Sequence, residues 1–171
     1  KSVTASPLLS KYLNNGTTDK INITSFGEGA SIFYATLQAK AVLDTDYTVT
    51  NGDAESTAVL VANDGSNVEI ATGKTLTTNT QVALVAVNGT SPVVLGSGST
   101  AINEGTILST RAQDAIGIYT KDEGANNTSG GSSNGTNKGS ITMQGKKAVG
   151  MYGQNTAVNV TDVDLQNLGT I

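Results

Sequence analysis

The sequence predicts an all-β chain wound as a parallel β-helix (a β-solenoid), with a short helix over its N-terminal end, and three observations carry that expectation. First, two blocks recur in the same order. Ala115-Ile-Gly-Ile-Tyr119 returns as Ala148-Val-Gly-Met-Tyr152, and Asn103-Glu-Gly-Thr-Ile107 returns as Asn137-Lys-Gly-Ser-Ile141 and as Asn167-Leu-Gly-Thr-Ile171. Self-similarity at a fixed period marks a stacked architecture. Second, short β-branched stretches alternate apolar and polar residues between Gly and Asn borders, which reads as strands joined by tight turns. Third, Gly, Ser, Thr and Asn fill 76 of 171 positions. A stack of coils uses small residues at its turns and β-branched residues on its strands.

Taken in order, residues 1–20 form an N-terminal cap. Ser6 is the N-cap, Pro7 the first helical residue, Leu8, Leu9, Tyr12 and Leu13 an apolar face at helical spacing, and Gly16 the stop. The open end of a stack exposes unpaired backbone and core, so a cover is expected there. Residues 21–171 form the β-helix, of roughly six coils at about 4.8 Å each. Strands are expected at Ile21–Ile23, Tyr47–Val49, Val68–Ile70 and Val158–Leu165. Looser copies of the first block begin at Ser31, Ala58 and Ala83, ahead of those at Ala115 and Ala148. Turns fall at 51–53, 63–67, 88–91 and 96–99. Lys121 to Thr136 holds no apolar residue larger than Ala125 and is expected to be a flexible lateral loop at 121–136. An up-and-down β-sandwich also uses short strands, but it does not require blocks of sequence to repeat.

Composition excludes much chemistry. His and Cys are absent, which removes Ser-His-Asp and Cys-His nucleophiles, imidazole and thiolate metal sites, and disulfides. Net charge is −4, with Arg111 the lone arginine, so no basic stripe tracks a phosphate backbone and no nucleic acid is expected. No run approaches a membrane-spanning length. Gly73-Lys74-Thr75 resembles the end of a phosphate loop, but Val68 stands where its first Gly belongs. Gly27-Glu-Gly29 and Gly96-Ser-Gly98 have half a dinucleotide fingerprint and no helix pattern after it, so both read as turns. Glycosylation sequons at Asn15, Asn22, Asn88, Asn126, Asn127, Asn134 and Asn159 follow from an Asn- and Thr-rich chain.

Asp44 with Asp46 and Asp162 with Asp164 lie at i, i+2. Within a strand each pair projects on one face, where a calcium or acid–base site could form. With few partners available, the solvated face of a strand is the simpler reading. The expectation is therefore no enzyme, no cofactor and no bound metal. Tyr119 and Tyr152 occupy equivalent repeat positions, which predicts stacking in a ladder rather than ligand contact, and no individual binding residue is singled out.

The combination Asn-x-Gly-(Thr/Ser)-Ile followed by Ala-(Ile/Val)-Gly-(Ile/Met)-Tyr resembles the passenger repeats of fusobacterial autotransporter adhesins, type V secreted outer-membrane proteins. The match is close at 103–119, 137–152 and 167–171, looser from 21 to 102, and covers about a third of the chain well. The resemblance implies a right-handed β-helix displayed extracellularly at the cell surface. It implies non-catalytic binding to a host-cell protein or glycan, or to another bacterium, with anchoring through a barrel in the outer membrane. It leaves a trimer open. A structural stalk or cap within a longer autotransporter, and a β-helical polysaccharide-active enzyme, are the alternatives.

Overall fold

The computed structural model describes residues 8–9, 27–88, 98–122, 132–156 and 163–171. Fourteen strands lie among them: β1 Ser31–Ala35, β2 Lys40–Leu43, β3 Tyr47–Val49, β4 Ala58–Asn63, β5 Asn67–Ile70, β6 Thr75–Thr78, β7 Val82–Asn88, β8 Thr100–Asn103, β9 Thr106–Ser109, β10 Ile116–Asp122, β11 Asn134–Asn137, β12 Ser140–Met143, β13 Val149–Asn155 and β14 Asp164–Asn167. Every third strand pairs. The first sheet runs β1-β4-β7-β10-β13, the second β2-β5-β8-β11-β14 and the third β3-β6-β9-β12. All these pairings are parallel. The chain is a β-solenoid, each coil laying one strand on each sheet.

Parallel register stacks each residue on its equivalent one coil away, so the core is a set of ladders. Phe33, Leu60, Leu84, Ile118 and Met151 form one, and Ala35, Ala62, Ala86, Thr120 and Gly153 another, both on the inner face of the first sheet. Ala41, Val68, Ala101, Gly135 and Leu165 line the second sheet. Tyr47, Leu76, Ile107 and Ile141 line the third. Leu60, Val68, Ile70, Leu76, Leu84, Ile107 and Ile118 are fully buried. At about 1.5–3 kcal/mol for each large side chain removed from water, such ladders supply the main driving force for folding.

The repeated block Asn-x-Gly-(Thr/Ser)-Ile acquires a physical cause at the corner between the second and third sheets. Asn103, Asn137 and Asn167 are in register. Asn103 Nδ2 donates to Asn137 Oδ1 at 2.8 Å, and Asn137 Nδ2 to Asn167 Oδ1 at 2.8 Å. Their other amide hydrogens reach Ser140 O and Thr170 O across the next corner. An amide suits this position because it donates in one direction along the stack and accepts in the other. Two residues on, Gly139 lies so close to the coil before it that a Cβ would meet Gly105 O at 1.9 Å; at Gly169 it would meet Gly139 O at 2.0 Å. Any side chain there would collide with backbone, so glycine recurs.

The other block, at 115–119 and 148–152, places Ala115 in the interior, Ile118 and Met151 in a core ladder, and Tyr119 over Tyr152 on the outside. Some earlier copies slip against the sequence alignment: Ala58 pairs with Val82, one residue before Ala83, and Val82 pairs with Ile116, which puts Ala83 two residues out of phase with Ala115. Apolar ladders tolerate exchange of Ala, Val and Leu, so those copies carry no mark that fixes the phase.

Several expectations are revised. The helix over 6–16 is not seen: Leu8 forms a parallel bridge with Val42 of β2, Leu9 is buried in the core cluster, and the rest of that segment lies outside the described residues. Bridging to the outer edge of β2 satisfies backbone groups that a docked helix would leave unpaired. Among the described residues the three sheets hold five, five and four strands, beside the roughly six coils expected over 21–171. The strand at Ile21–Ile23 lies outside the described residues. Those at 47–49 and 68–70 are present as β3 and within β5. Of the strand expected at 158–165, Asp164 and Leu165 fall in β14, Asp164–Asn167, and 158–162 lie outside the described residues. The lateral loop is shorter than 121–136, because Lys121 and Asp122 end β10 and Asn134–Thr136 belong to β11; residues 123–131 lie outside the described set.

The described residues on either side of 123–131, Lys121 and Asp122 of β10 and Ser133 before β11, are clamped together at the corner between the first and second sheets. Asp122 Oδ1 accepts from Ser133 N at 3.0 Å, while Ser133 Oγ donates to Lys121 O. One coil earlier, Asn88 Oδ1 accepts from Ser99 N and Ser99 Oγ donates to Val87 O. The same corner is a tight turn in the first two coils, with two successive residues in the left-handed region: Leu37 (φ 56°) and Gln38 (φ 63°), then Asp64 (φ 51°) and Gly65 (φ 75°). Asp-Gly suits that backbone and Leu-Gln does not.

Two stability outcomes follow. Asn137→Ala removes both hydrogen bonds between ladder side chains and leaves buried groups unpaired on its neighbours, so urea unfolding should show a loss of about 2–4 kcal/mol. Leu37→Asn with Gln38→Gly relieves two unfavourable φ angles and should raise the urea midpoint, by about 1 kcal/mol or more in stability.

Candidate functional site

Outward positions on the third sheet are mostly hydroxyl-bearing: Thr75, Thr106 and Ser140 in one row, Thr48, Thr77, Leu108 and Thr142 in the next. The first sheet is different. Its outer face carries Ser31, Ala58, Val82, Ile116 and Val149 in one row and Tyr34, Val61, Val85, Tyr119 and Tyr152 in the next. Ala58, Val82 and Val85 form an apolar cluster separate from the core, joined by Val61, Val87, Ile116 and Tyr119. A sheet face this apolar is normally covered by another layer. No described element covers it.

The face is concave. Tyr119 and Tyr152 stack with ring centroids 5.6 Å apart and planes 10° apart, as their repeat positions predicted, and Tyr119 Oη donates to Gln154 Oε1 at 2.8 Å. At the other end Tyr34 Oη accepts from Asn63 Nδ2 at 2.7 Å. Both tyrosines thus reach a polar side chain on the next coil, but the position above Tyr34 is Val61, then Val85, so Tyr34 has no ring over it and is 57% exposed. Between Tyr34 and Tyr119 lie three coil steps, about 14 Å. The result is an open groove of about 450 Å³, floored by Ala58, Val61, Val82 and Val85 and edged by Ser31, Ser56 and Gln81. Among the described residues, no charged side chain lines it. Sequence reading missed Tyr34, Val61 and Val85; the available signal was an unbroken apolar run, Ala58 to Ala62, where a half-exposed strand should alternate.

Other sequence candidates are placed elsewhere. Asp44 and Asp46 sit in the corner after β2 rather than in a strand, so the i, i+2 argument does not hold for them; Asp46 Oδ1 accepts from Thr75 N at 2.8 Å. Asp164 starts β14 at the other end of the stack, and Asp162 lies outside the described residues. Asp164 is not brought together with Asp44 and Asp46. Arg111 is buried and works as a staple: its guanidinium donates to Asp53 O at 2.8 Å and Ala54 O at 3.3 Å, its Nε to Gln113 O, and it meets Glu55 at 3.3 Å. Asn88, a sequon residue, is buried in its clamp with Ser99. Gly73 and Lys74 belong to a corner between β5 and β6, with Gly73 at φ 73°. Gly29 lies in a turn before β1, also at φ 73°, and Gly96 is outside the described residues.

Charge on the outside is paired across coils. Lys40 meets Glu69 at 2.7 Å and Lys138 meets Glu104 at 2.8 Å. Hydrogen bonds from Lys138 and Thr72 hold the Glu104 carboxyl below the usual range, and the bond to Glu104 holds the Lys138 ammonium above its own. Burial raises the Tyr47 phenol, which packs edge-on to Phe33 at the first coil. Among the described residues, no three His, Cys, Asp or Glu side chains gather to hold a metal ion.

Compared with protein-family models, curated proteins and solved structures, the chain matches none of them.

The ion pair sets an expectation for pH. A depressed carboxylate contributes stability above its ordinary pKa and loses it as pH falls through the lowered value; a raised ammonium contributes below its ordinary pKa and loses it as pH rises through the raised one. With no histidine to titrate between them, the urea midpoint should be flat from about pH 6 to 8 and fall below about pH 4. Lys138→Met should reduce that acid-side loss slightly, since the pair is solvent-screened.

Proposed function

We propose that this chain is a segment of an extracellular adhesin passenger: a non-catalytic right-handed β-solenoid rod, exported by a type V route, that binds a host-cell or bacterial surface receptor or glycan. Three things support this reading. The repeat blocks resemble autotransporter passengers, the β-solenoid is the architecture those repeats imply, and the absence of thiols suits a chain that crosses an oxidising periplasm unfolded. The observation that carries the binding role is the groove on the first sheet, an apolar concavity of ligand-site size on the outside of a rod. A rod also displays such a site rigidly and away from the membrane that anchors its parent.

A stalk without binding activity is the second reading. It is favoured by the asparagine ladder and the buried Arg111 staple, both of which serve only to hold coils in register.

Beads coated with the chain should retain epithelial cells or co-aggregating bacteria severalfold above beads coated with an inert protein at equal density. Retention equal to the inert control overturns the binding role and leaves the stalk.

A further inference from the structure

Resting on the adhesin reading, we infer that the groove between Tyr34 and Tyr119 is a binding site for a neutral glycan chain. The outer row of the first sheet is an aromatic ladder interrupted at two rungs. Tyr152 stacks on Tyr119, but Val85 and Val61 carry no ring before Tyr34 is reached. Tyrosines therefore bound the groove at both ends, with isopropyl groups as the floor, and the whole is edged by neutral hydrogen-bonding side chains such as Gln81 and Ser56.

The occupant follows from that chemistry. A pyranose has an apolar face of C–H groups that packs on aromatic and aliphatic surface, and a perimeter of hydroxyls that bonds to neutral polar groups. The absence of charge among the described lining residues disfavours phosphorylated, sulfated or sialylated ligands, whose anionic groups would lose water without gaining a cation. A peptide strand is disfavoured too. The groove lies on a sheet face, where the backbone groups are already spent on the neighbouring coils, so a peptide's own N–H and C=O groups would meet an apolar floor unpaired. A second copy packing face to face through a two-fold axis would set concavity against concavity.

The test is binding of the intact chain to an array of neutral oligosaccharides with matched sialylated and sulfated chains, alongside bead retention of cells. Val85→Tyr places a ring in the interrupted ladder, as Tyr119 and Tyr152 already have, and Tyr34→Ala removes one end wall at an exposed position. Both should weaken neutral-glycan binding about tenfold or more, with circular dichroism unchanged. Thr77→Ala on the third sheet should leave it unaltered. If Val85→Tyr fails to fold, Tyr34→Ala alone decides. Neutral-glycan binding that survives Tyr34→Ala and Val85→Tyr overturns the site. Preference for the anionic chains overturns the ligand class. A silent array with cells still retained overturns the glycan while the adhesin reading stands, and loss of both overturns the two together. Self-association abolished by Val85→Tyr, with no glycan bound, overturns it in favour of a second copy.

Discussion

Each paired strand residue faces its counterpart one coil away at about the spacing of paired strands, roughly 4.8 Å, and nearly everything else in the structure follows from that constraint. A side chain must be compatible with its own equivalent, above and below, before it is compatible with anything else. Asparagine satisfies this by donating one way and accepting the other, glycine by offering no atom to collide, and aliphatic residues by indifference to direction. The asparagine run shows what happens where the rule changes. Asn103 bonds upward to Asn137, but its counterpart in the coil below is Ile70, and Asn103 Oδ1 is buried with no hydrogen-bond partner. One unsatisfied carbonyl marks the junction between an aliphatic and an amide ladder.

That junction also explains which parts of the fold were legible in the sequence. Repeats stood out after residue 103 because amide and glycine positions admit one residue type each, so the same letters return. Before it, Leu43 stacks on Ile70 and Phe33 on Leu60. Interchangeable apolar residues keep the shape without keeping the letters, and the alignment slipped by one between Ala58 and Val82. Corners were legible where Asp-Gly marked them and obscure where Leu37-Gln38 hold the same left-handed backbone against their preference. The helical spacing of Leu8, Leu9, Tyr12 and Leu13 was a fair local signal, yet at Leu8 the unpaired edge of β2 outcompeted it. Local propensity yields to an edge that needs backbone partners.

The groove was hidden for a related reason. Its floor comes from the run Ala58-Val-Leu-Val-Ala62, which contains no polar residue to mark an outward position. Such a run is the expected signature of a strand covered on both faces. Here Val59, Leu60 and Ala62 are buried in the core, while Ala58 and Val61 belong to the outer cluster. The contradiction between a two-sided apolar strand and a one-sided cover was visible only once the other strands were in place, because what is missing among the described residues is a covering layer. Asp44 and Asp46 failed in the opposite direction: their spacing was read as a strand face, whereas the chain turns a corner there.

An apolar face on the outside of a rod costs stability in water unless something reduces its exposure, and the chain reduces it unevenly. Tyr119 and Tyr152 stack at the upper rungs and Tyr34 leans toward Asn63 on the coil above; Tyr34 and Tyr152 stay exposed, while Ala58, Val82 and Val85 are buried at the floor. A ladder that places like on like could have continued tyrosine through the rungs of Val61 and Val85, as it continues asparagine through three. Its interruption by small β-branched residues converts a flat stripe into a concavity. The inner ladders keep the floor of that concavity fixed, since Leu60 and Leu84 directly behind it are fully buried and in register. A site whose walls cannot shift loses little entropy when it is filled, so the same stacking that builds the rod preorganises the groove on its surface.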